Sequence, residues 1–247
     1  MAAATVARLW RYPVKSTAGE ELAEARLGGR GLEHDRLWAA YTADGGIASG
    51  KTTRRFRKVD GLLRWRSALG AAGVPRLTAP DGAGTDAGTA AADEALTRSL
   101  GQPLALRREA DVPHHDDSAV HLVTTAAIRA VERLTGAPFD PSRARANLLL
   151  DLPGDGFVED DWLGAELAVG DGVVLRLDAP MVRCVMVDAP QAGVVVARQA
   201  LQALGRAHEV VLGLQASVVR TGTVHVGDVA TVRRRTAPEP GAGGPAA

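Results

Sequence analysis

Cys184 is the sequence's only cysteine, and it directly follows Arg183 in the stretch DAPMVRCVMVDAPQAG. A neighbouring guanidinium favours thiolate over thiol, and the thiolate is the form that binds a soft metal ion or attacks an electrophile. A lone cysteine is more often a small buried apolar side chain, and that interpretation stays open at this stage. A single thiol excludes an intramolecular disulfide, so the sequence fits a reducing compartment.

A second stretch, GGIASGKT at residues 45–52, matches the phosphate-binding P-loop pattern through Gly45, Gly50, Lys51 and Thr52. A working P-loop joins a buried parallel strand to a helix. Here DRLWAAYTADGG alternates and ends in a hairpin-type turn, and TTRRFRKVDGLL places basic residues where a helix dipole disfavours them. We therefore predict a β-hairpin followed by a basic surface segment, with a nucleotide hydrolase as a remote alternative.

Two further polar clusters could do chemistry. Residues 114–117 (HHDD) suggest a metal cluster, but adjacent histidines on an exposed turn diverge, so we predict a solvated loop. Residues 159–161 (EDD) precede Trp162, and we predict a turn with a solvated acidic rim rather than an acid/base pair. No nucleophile-elbow pattern points to a catalytic serine.

The composition restricts the partners. The 247 residues include 29 basic and 29 acidic ones, so no global field attracts the chain to nucleic acid or to an acidic membrane surface. The N-terminus lacks a long apolar segment with basic flanks, and no run of roughly 18 apolar residues occurs. We expect a cytoplasmic protein that binds neither nucleic acid nor membrane.

Short alternating or apolar runs dominate the chain, among them VARLWRYPV, DRLWAAYTA, AVHLVT, ANLLLDL, GVVLRLDAP and TVHVGDVATVRR. Such runs predict strands, and the glycine-containing turns between them favour curled antiparallel sheet or a barrel. Two segments have helical periodicity instead: TTAAIRAVERLTG, which Thr124 or Thr125 can cap and Gly136 ends, and residues 194–208. The predicted fold class is mainly β with some α.

Low-complexity segments suggest how the chain is divided. Residues 71–92 are small and polar, and we predict a surface loop there. Residues 111–118 separate an N-terminal sheet region from the rest, and residues 236–247 have the composition of a disordered tail. We therefore predict an N-terminal region at 1–112, a second domain at 113–235 and a tail at 236–247.

Seven blocks in order carry a family resemblance: YPVKS, GLEHDRLW, HLVTTAAI, RARANLLL, FVEDDW, RCVMVDAPQAG and GTVHVGD. In this order they resemble MOSC-domain proteins with an N-terminal MOSC β-barrel, the family of the amidoxime-reducing component. The resemblance covers roughly residues 5–233 and implies a β-barrel region followed by a MOSC-type barrel domain with a few helices. It also implies a molybdenum cofactor in a cleft between the two regions, with a cysteine ligating the metal.

Carried over residue by residue, the resemblance gives Cys184 as the metal ligand and the catalytic centre. It implies cofactor contacts from Lys15, Ser16, Arg36, Thr124, Thr125, Arg145, Asn147, Arg183 and Cys184. The residue types agree with this assignment, because a molybdopterin has a phosphate that needs cationic donors and a soft metal that needs thiolate.

Structural alternatives remain for several of these residues. Arg36 and Arg145 could be surface arginines, Thr124 or Thr125 could simply cap a helix, and Asn147 could close a hydrogen bond at a strand edge. Lys15 could extend its ammonium group to solvent. The chain also has LGLQASV at 212–218 where the reductases carry an aromatic residue, so a cofactor contact there is not supported.

The resemblance implies reduction of N-hydroxylated or related N-oxygenated small molecules. The single cysteine cannot hold a four-cysteine iron–sulfur cluster, so electrons would come from a separate donor protein of ferredoxin, flavodoxin or cytochrome type. A non-catalytic carrier of the cofactor or of sulfur is the alternative that the same residues would serve.

Overall fold

The computed structural model describes residues 3–234. Its strands are β1 Ala3–Arg11, β2 Glu20–Leu22, β3 Glu24–Gly28, β4 Gly31–Leu32, β5 Trp38–Thr42, β6 Ile47–Ser49, β7 Phe56–Lys58, β8 Arg66–Leu69, β9 Pro75–Thr78, β10 Gly84–Asp86, β11 Leu104–Arg108, β12 Val120–Thr124, β13 Leu148–Asp151, β14 Glu166–Val169, β15 Val173–Val182, β16 Val211–Arg220, β17 Gly222–His225 and β18 Val229–Arg233. Its α-helices are α1 Ala90–Leu100, α2 Thr125–Thr135 and α3 Leu201–Ala207. The predicted class, mainly β with some α, is confirmed. The predicted tail at 236–247 lies outside the described residues.

Seven strands close into a barrel in the order β13, β12, β16, β15, β14, β18 and β1, because β1 also pairs with β13. An odd number of strands cannot close with antiparallel pairs alone, and β12 with β13 forms the parallel pair. Leu9, Leu122, Leu167, Leu175 and Leu214 fill the interior and are fully buried. The N-terminal segment thus contributes β1 to a barrel whose other strands all follow residue 119.

Strands β12 and β13 are buried on both faces, since their outer face is covered by helices. Val123 and Leu149 on these strands join Val131 of α2 and Leu204 of α3 in a second core. Burial on both faces explains why LLL in β13 is a continuous apolar run rather than an alternating one. None of the helices in the described part of the chain is long and apolar enough to cross a membrane.

The remaining strands form three smaller sheets. A four-stranded sheet has the order β11, β5, β6, β7, and a three-stranded sheet has the order β10, β9, β8. Together with α1 they enclose a core around the buried Trp65, which includes Leu77 and Leu96. The third sheet, in the order β17, β3, β4, joins the hairpin of β3 and β4 to β17, the next-to-last strand of the described residues.

The prediction of a loop over residues 71–92 was wrong. The segment contains β9, β10 and the start of α1, and Leu77 and Ala92 in it are fully buried. Thr89 caps α1 by accepting a hydrogen bond from the Ala92 amide. Few apolar residues suffice here because most members of that core, the large Trp65 among them, come from outside the segment.

The first predicted helix is confirmed, with Thr124 at its N-cap and Gly136 at its C-cap, where φ is 66°. The second, predicted over 194–208, begins only at Leu201. The carboxylate of Asp188 accepts hydrogen bonds from the amides of Ala200 at 2.6 Å and Leu201 at 3.0 Å. It satisfies donors that a helix start leaves free, and it comes from a distant turn that local periodicity does not reveal.

Candidate functional site

A cleft opens between the barrel and the four-stranded sheet, and Cys184 lines it. Counting Cys184, seven of the nine residues predicted as cofactor contacts line the cleft: Lys15, Ser16, Arg36, Arg145, Asn147, Arg183 and Cys184. Lys51 adds a fifth cation, while Asp116 and Asp117 are the cleft's carboxylates. The resulting cavity is positively charged and holds one thiol.

Cys184 lies between β15 and a 3₁₀ turn at Val185–Asp188, and it is half-buried. The preceding Arg183 is held by its backbone, whose amide donates to the Val210 carbonyl at 2.7 Å, and by its Nη2, which donates to the Ala144 carbonyl at 2.7 Å. The Nε of Arg183 is buried without a hydrogen-bond partner. Burial lowers the pKa of Arg183 while the charge of Cys184 raises it, and the net shift is downward.

One side of the cleft, here called the arginine side, is built on Tyr12. The guanidinium carbons of Arg36 and Arg145 lie 4.7 Å and 4.4 Å from the Tyr12 ring centroid. Arg36 Nη2 donates to the Arg145 carbonyl at 3.0 Å, and Arg145 Nη1 donates to the Thr17 carbonyl at 2.8 Å. Both side chains are therefore fixed before any ligand enters.

The ionisation of the arginine side follows from burial and from Asp35, which is fully buried. Burial lowers the pKa of Arg145 to about 10, which leaves it charged at neutral pH. Burial also acts to lower the pKa of Arg36, but its ion pair with Asp35 outweighs burial and raises the pKa. Burial raises the pKa of Tyr12 to about 12, so the ring between the two guanidiniums stays neutral.

The cleft is lined by three non-glycine residues with left-handed backbone: Ser16 at φ 62°, Arg36 at φ 50° and Arg145 at φ 54°. This region costs an L residue about 1–2 kcal/mol, and such strain concentrates at functional sites. In each case the strained residue directs a polar side chain into the cleft, so the backbone supports a binding role.

The opposite side, here called the lysine side, is built on Phe56 and Asp116. The ammonium groups of Lys15 and Lys51 lie 4.4 Å and 5.3 Å from the Phe56 ring centroid. Both form ion pairs with Asp116, and the Lys51 Nζ to Asp116 Oδ2 distance is 2.7 Å. Lys15 is only 4% exposed, so the interpretation that it extends to solvent is wrong.

The lysine side is more sensitive to protonation. Burial lowers the pKa of Lys15 to about 8. The nearby Asp116 acts to raise this pKa but offsets only part of the effect of burial. Burial would also lower the pKa of Lys51, but its hydrogen bond with Asp116 outweighs burial and raises the pKa. The two ammonium groups in turn outweigh the burial of Asp116 and hold its pKa well below the usual range.

The P-loop-like stretch therefore has another structural role. β5 and β6 are antiparallel neighbours joined by a tight turn, and no helix begins within residues 45–58, which confirms the predicted hairpin. Gly50 lies where a Cβ atom would come within 2.8 Å of Met186, two residues beyond Cys184. The loop thus packs against the Cys184 turn and directs Lys51 into the cleft.

The prediction of a solvated loop at residues 114–117 was wrong for three of its four members. His114 is fully buried, with its Nε2 3.0 Å from the Tyr41 hydroxyl, and Asp116 is in the ion pairs above. His115 lines the cleft, and its buried Nε2 has no partner. Burial and the charge of Arg36 lower the pKa of His115 to about 4, so it is neutral at neutral pH. Asp117 alone is exposed.

Thr124 and Thr125 do not line the cleft. Thr124 Oγ1 caps α2 by accepting from the Ala127 amide and donates to Glu159 Oε2 at 2.7 Å. Thr125 Oγ1 donates to Asp151 Oδ1 at 2.8 Å. Glu159 is fully buried and burial raises its pKa, so its assignment to a solvated rim was wrong, whereas Asp160 and Asp161 are exposed as predicted.

Asn147 has the structural role that remained open at the sequence level. Its Oδ1 accepts from the His121 amide at 3.1 Å, and its Nδ2 donates to the Trp10 carbonyl at 3.3 Å. It thereby joins β1, β12 and the start of β13 at the floor of the cleft.

Several cleft residues were not identified from the sequence as site residues: Lys51, His115, Asp116, Asp117, Ser118, His121, Met181 and Met186. The sequence of residues 111–118 could have indicated a site, because a charged and histidine-rich segment between two sheets can fold into a cleft at their junction. Lys51 was singled out by a pattern that describes a different fold.

Two family models match the chain. Residues 3–124 match the MOSC N-terminal beta barrel domain, and residues 109–231 match the MOSC domain. The chain belongs to the MOSC family. The family-level expectation from the seven sequence blocks is thereby confirmed.

The MOSC protein resembles solved structures at low identity. The YuaD protein from Bacillus subtilis is 14% identical, with a TM-score of 0.53 over 95% of this chain and 98% of that one. YiiM from Geobacillus stearothermophilus is 20% identical over 48% of this chain and 56% of that one, with a TM-score of 0.36. No curated protein matches the chain. The YuaD likeness supports the fold of this MOSC protein.

Proposed function

We propose that this MOSC protein binds a molybdenum cofactor in the cleft and acts as an oxidoreductase that reduces N-hydroxylated or N-oxygenated small molecules. The observation that carries the proposal is the convergence of the only thiol and five cationic side chains, from five separate segments of the chain, on one cavity. Each of these residues alone has an ordinary structural explanation, but their meeting in one cleft does not.

The donors present fit a ligand that is anionic at one end and carries a soft metal at the other. The arginine side offers fork-shaped donors already oriented by Tyr12, and the lysine side offers two ammonium groups. Arg183 Nε and His115 Nε2 are buried cleft atoms without partners. Unpaired buried polar atoms cost free energy, so a bound ligand that pairs with them would be stabilised.

In this proposal each side chain has a distinct role. Cys184 is the metal ligand, and the adjacent Arg183 places a positive charge beside it. Arg36, Arg145, Lys15 and Ser16 hold the cofactor's phosphate end. The cofactor, when bound, supplies the two-electron chemistry that removes oxygen from nitrogen. The half-buried position of Cys184 leaves room for a small substrate to approach from the open side of the cleft.

Metal analysis tests the proposal. The wild type and Cys184→Ser are purified from a host that makes the cofactor, and molybdenum per chain is measured alongside turnover of an N-hydroxylated amidine by a chemically reduced dye. We expect molybdenum and turnover in the wild type and loss of turnover in Cys184→Ser. Equal molybdenum and equal turnover in both proteins would overturn the role of the thiol.

The same experiment separates the carrier alternative. Molybdenum bound to the wild type without turnover of any N-oxygenated compound would favour a protein that stores or transfers the cofactor. Phosphate release from ATP or GTP that Lys51→Ala abolishes would favour a nucleotide hydrolase, against which the β5–β6 hairpin argues.

A further inference from the structure

The basic segment after the P-loop-like stretch extends beyond the cleft. Residues 51–64 contain six basic residues and a single acidic one, Asp60, although the whole chain is balanced. Lys51 points into the cleft, whereas Arg54, Arg55, Lys58 and Arg64 are exposed. These four residues are called the basic rim.

The basic rim adjoins the Cys184 turn. Lys58 and Arg64 line one shallow depression together with Val185, the residue after Cys184. Gly50, at the near end of the segment, contacts Met186 of the same turn. Through Lys58 and Arg64 the rim therefore reaches the surface next to the thiol.

Two valines on either side of Cys184 are unusually exposed. Val182 is 60% exposed and Val185 is 55% exposed. Together they place a small apolar surface immediately beside the thiol, flanked by the basic rim. Around Val185 the basic Lys58 and Arg64 outnumber one carboxylate, Asp60. A small apolar contact with an excess of charge of one sign has the composition of a transient protein interface, in which charge steers the encounter.

We propose that the basic rim and the two valines form the docking surface for an acidic electron-donor protein of ferredoxin or flavodoxin type. This proposal rests on the proposed function. For a substrate R–NH–OH, two electrons from the reduced donor and two protons from solvent convert the N–OH group to N–H and release water. The N–O bond breaks, an N–H bond forms, the substrate is reduced and the donor is oxidised.

The observations favour a protein over a nucleic acid. A nucleic-acid surface needs positive charge along a backbone of phosphates, and exposed valines cannot pair with phosphates. The rim is also short and lies beside the one thiol, where an electron donor must approach. Its charge is complementary to an acidic donor.

The test reverses charge on the rim without touching the cleft. Arg54→Glu combined with Arg64→Glu reverses two rim charges. Arg55 and Lys58 are kept because Arg55 donates to the Pro113 carbonyl and Lys58 pairs with Asp60. The matched control is Arg98→Glu combined with Arg108→Glu, two exposed arginines on α1 and β11 that line neither the cleft nor the depression.

Binding and turnover are measured with a reduced acidic ferredoxin and, separately, with a reduced dye. We expect the rim variant to weaken ferredoxin affinity and raise the KM for ferredoxin by about tenfold, with a shallower dependence on salt. Turnover with dye stays unchanged, and the control behaves as the wild type. Equal ferredoxin affinity in the rim variant and the control would overturn the proposal.

The readouts keep the two proposals apart. If dye drives no turnover of any N-oxygenated substrate, the proposed function fails, while the affinity for ferredoxin measured by calorimetry still decides whether the rim binds an acidic donor. Tighter binding of a duplex oligonucleotide than of ferredoxin, lost in the rim variant, would overturn the assignment in favour of nucleic acid.

Discussion

The two sides of the cleft hold their cations in different ways. On the arginine side, Arg36 and Arg145 lie against Tyr12 and donate to backbone carbonyls, and both have left-handed backbone. On the lysine side, Lys15 and Lys51 meet at one carboxylate, Asp116. Both sides have an aromatic ring and an ion pair, Arg36 with Asp35 on the first. Only the arginines also donate to backbone carbonyls, whereas the lysines depend on a carboxylate that an entering anion can replace.

The difference teaches that one cleft can combine a permanent anion site with an adjustable one. The arginines keep their charge through the physiological range, since even the lowered pKa of Arg145 is about 10. Lys15, with a pKa of about 8, lies close to its titration. A ligand would therefore gain constant affinity from the first side and pH-dependent affinity from the second.

Replacing an arginine of the arginine side should have the largest effect on stability and on cofactor binding. Arg145→Met leaves the Thr17 carbonyl without its donor and removes a charge-assisted contact to the bound anion. We expect a loss of about 1–3 kcal/mol in the free energy of unfolding and a roughly ten- to hundredfold loss of cofactor affinity. Chemical denaturation of the apo protein and molybdenum content after dialysis measure the two effects.

Tyr12→Phe is the matched control for that variant. It keeps the ring under both guanidiniums and removes only the hydroxyl that donates to the Ala146 carbonyl at 3.2 Å. Molybdenum content should remain near that of the wild type. If Arg145→Met retains the cofactor as well as Tyr12→Phe does, the arginine side is structural rather than a ligand site.

The next largest effect should come from replacing Asp116, the carboxylate of the lysine side, and it should appear in the protonation of Lys15. In Asp116→Asn the burial of Lys15 is no longer opposed by a partner, so the pKa of Lys15 should fall below about 8. NMR titration of the lysine side chains measures this. Asp117→Asn, a change to the exposed neighbour, is the control and should leave Lys15 as it is. An unchanged Lys15 in Asp116→Asn would show that the ion pair does not set its protonation.

Changing pH should separate the two sides without any mutation. Sulfate remains a dianion from pH 6 to 10, so its affinity reports the protein's charges alone. We expect sulfate affinity to fall a few-fold as the pH rises through about 8, where Lys15 loses its proton. It should then level off up to about pH 9, below the pKa of about 10 at which Arg145 loses its charge. Calorimetric titration measures this, and Lys15→Met should have a flat profile over the same range.

The lowered pKa of Lys15 also predicts how the stability of the fold changes with pH. The folded-state pKa of Lys15 is lowered to about 8 from 10.5, so between these values the unfolded chain binds more protons than the folded one. Stability therefore rises with pH across this window. Denaturation midpoints should show the rise in the wild type and lack it in Lys15→Met. A wild-type stability that falls across the window relative to Lys15→Met would contradict the buried lysine.

How much was predictable differs between these elements. Alternation and turn glycines are local signals, and they predicted the β class, the hairpin at residues 45–52 and α2 with both of its caps. The start of α3 was missed because its cap, Asp188, lies in a separate turn. The strands and the helix start within residues 71–92 were not predicted, because their core partner, Trp65, is supplied by tertiary packing.

The site residues likewise fall into those that local sequence identified and those that it did not. Cys184, Arg36 and Arg145 could be named because each lies in a recognisable short block. Asp116 could not, because its role arises only when residues 15, 51 and 116 meet in the fold. Charged residues on loops give no periodic signal, so their partners are set by topology alone.

The smallest effect should come from Thr124, which resemblance placed at the cofactor and which the structure places at the cap of α2. Thr124→Ala removes the acceptor for the Ala127 amide and the donor to Glu159, and we expect a loss of about 1 kcal/mol in stability. Molybdenum content of the folded protein should not change, because Thr124 lies outside the cleft lining. Thr124→Ser, which keeps the hydroxyl, should restore stability. Lost molybdenum in Thr124→Ala at unchanged stability would instead place Thr124 in the binding site and extend the arginine side towards α2.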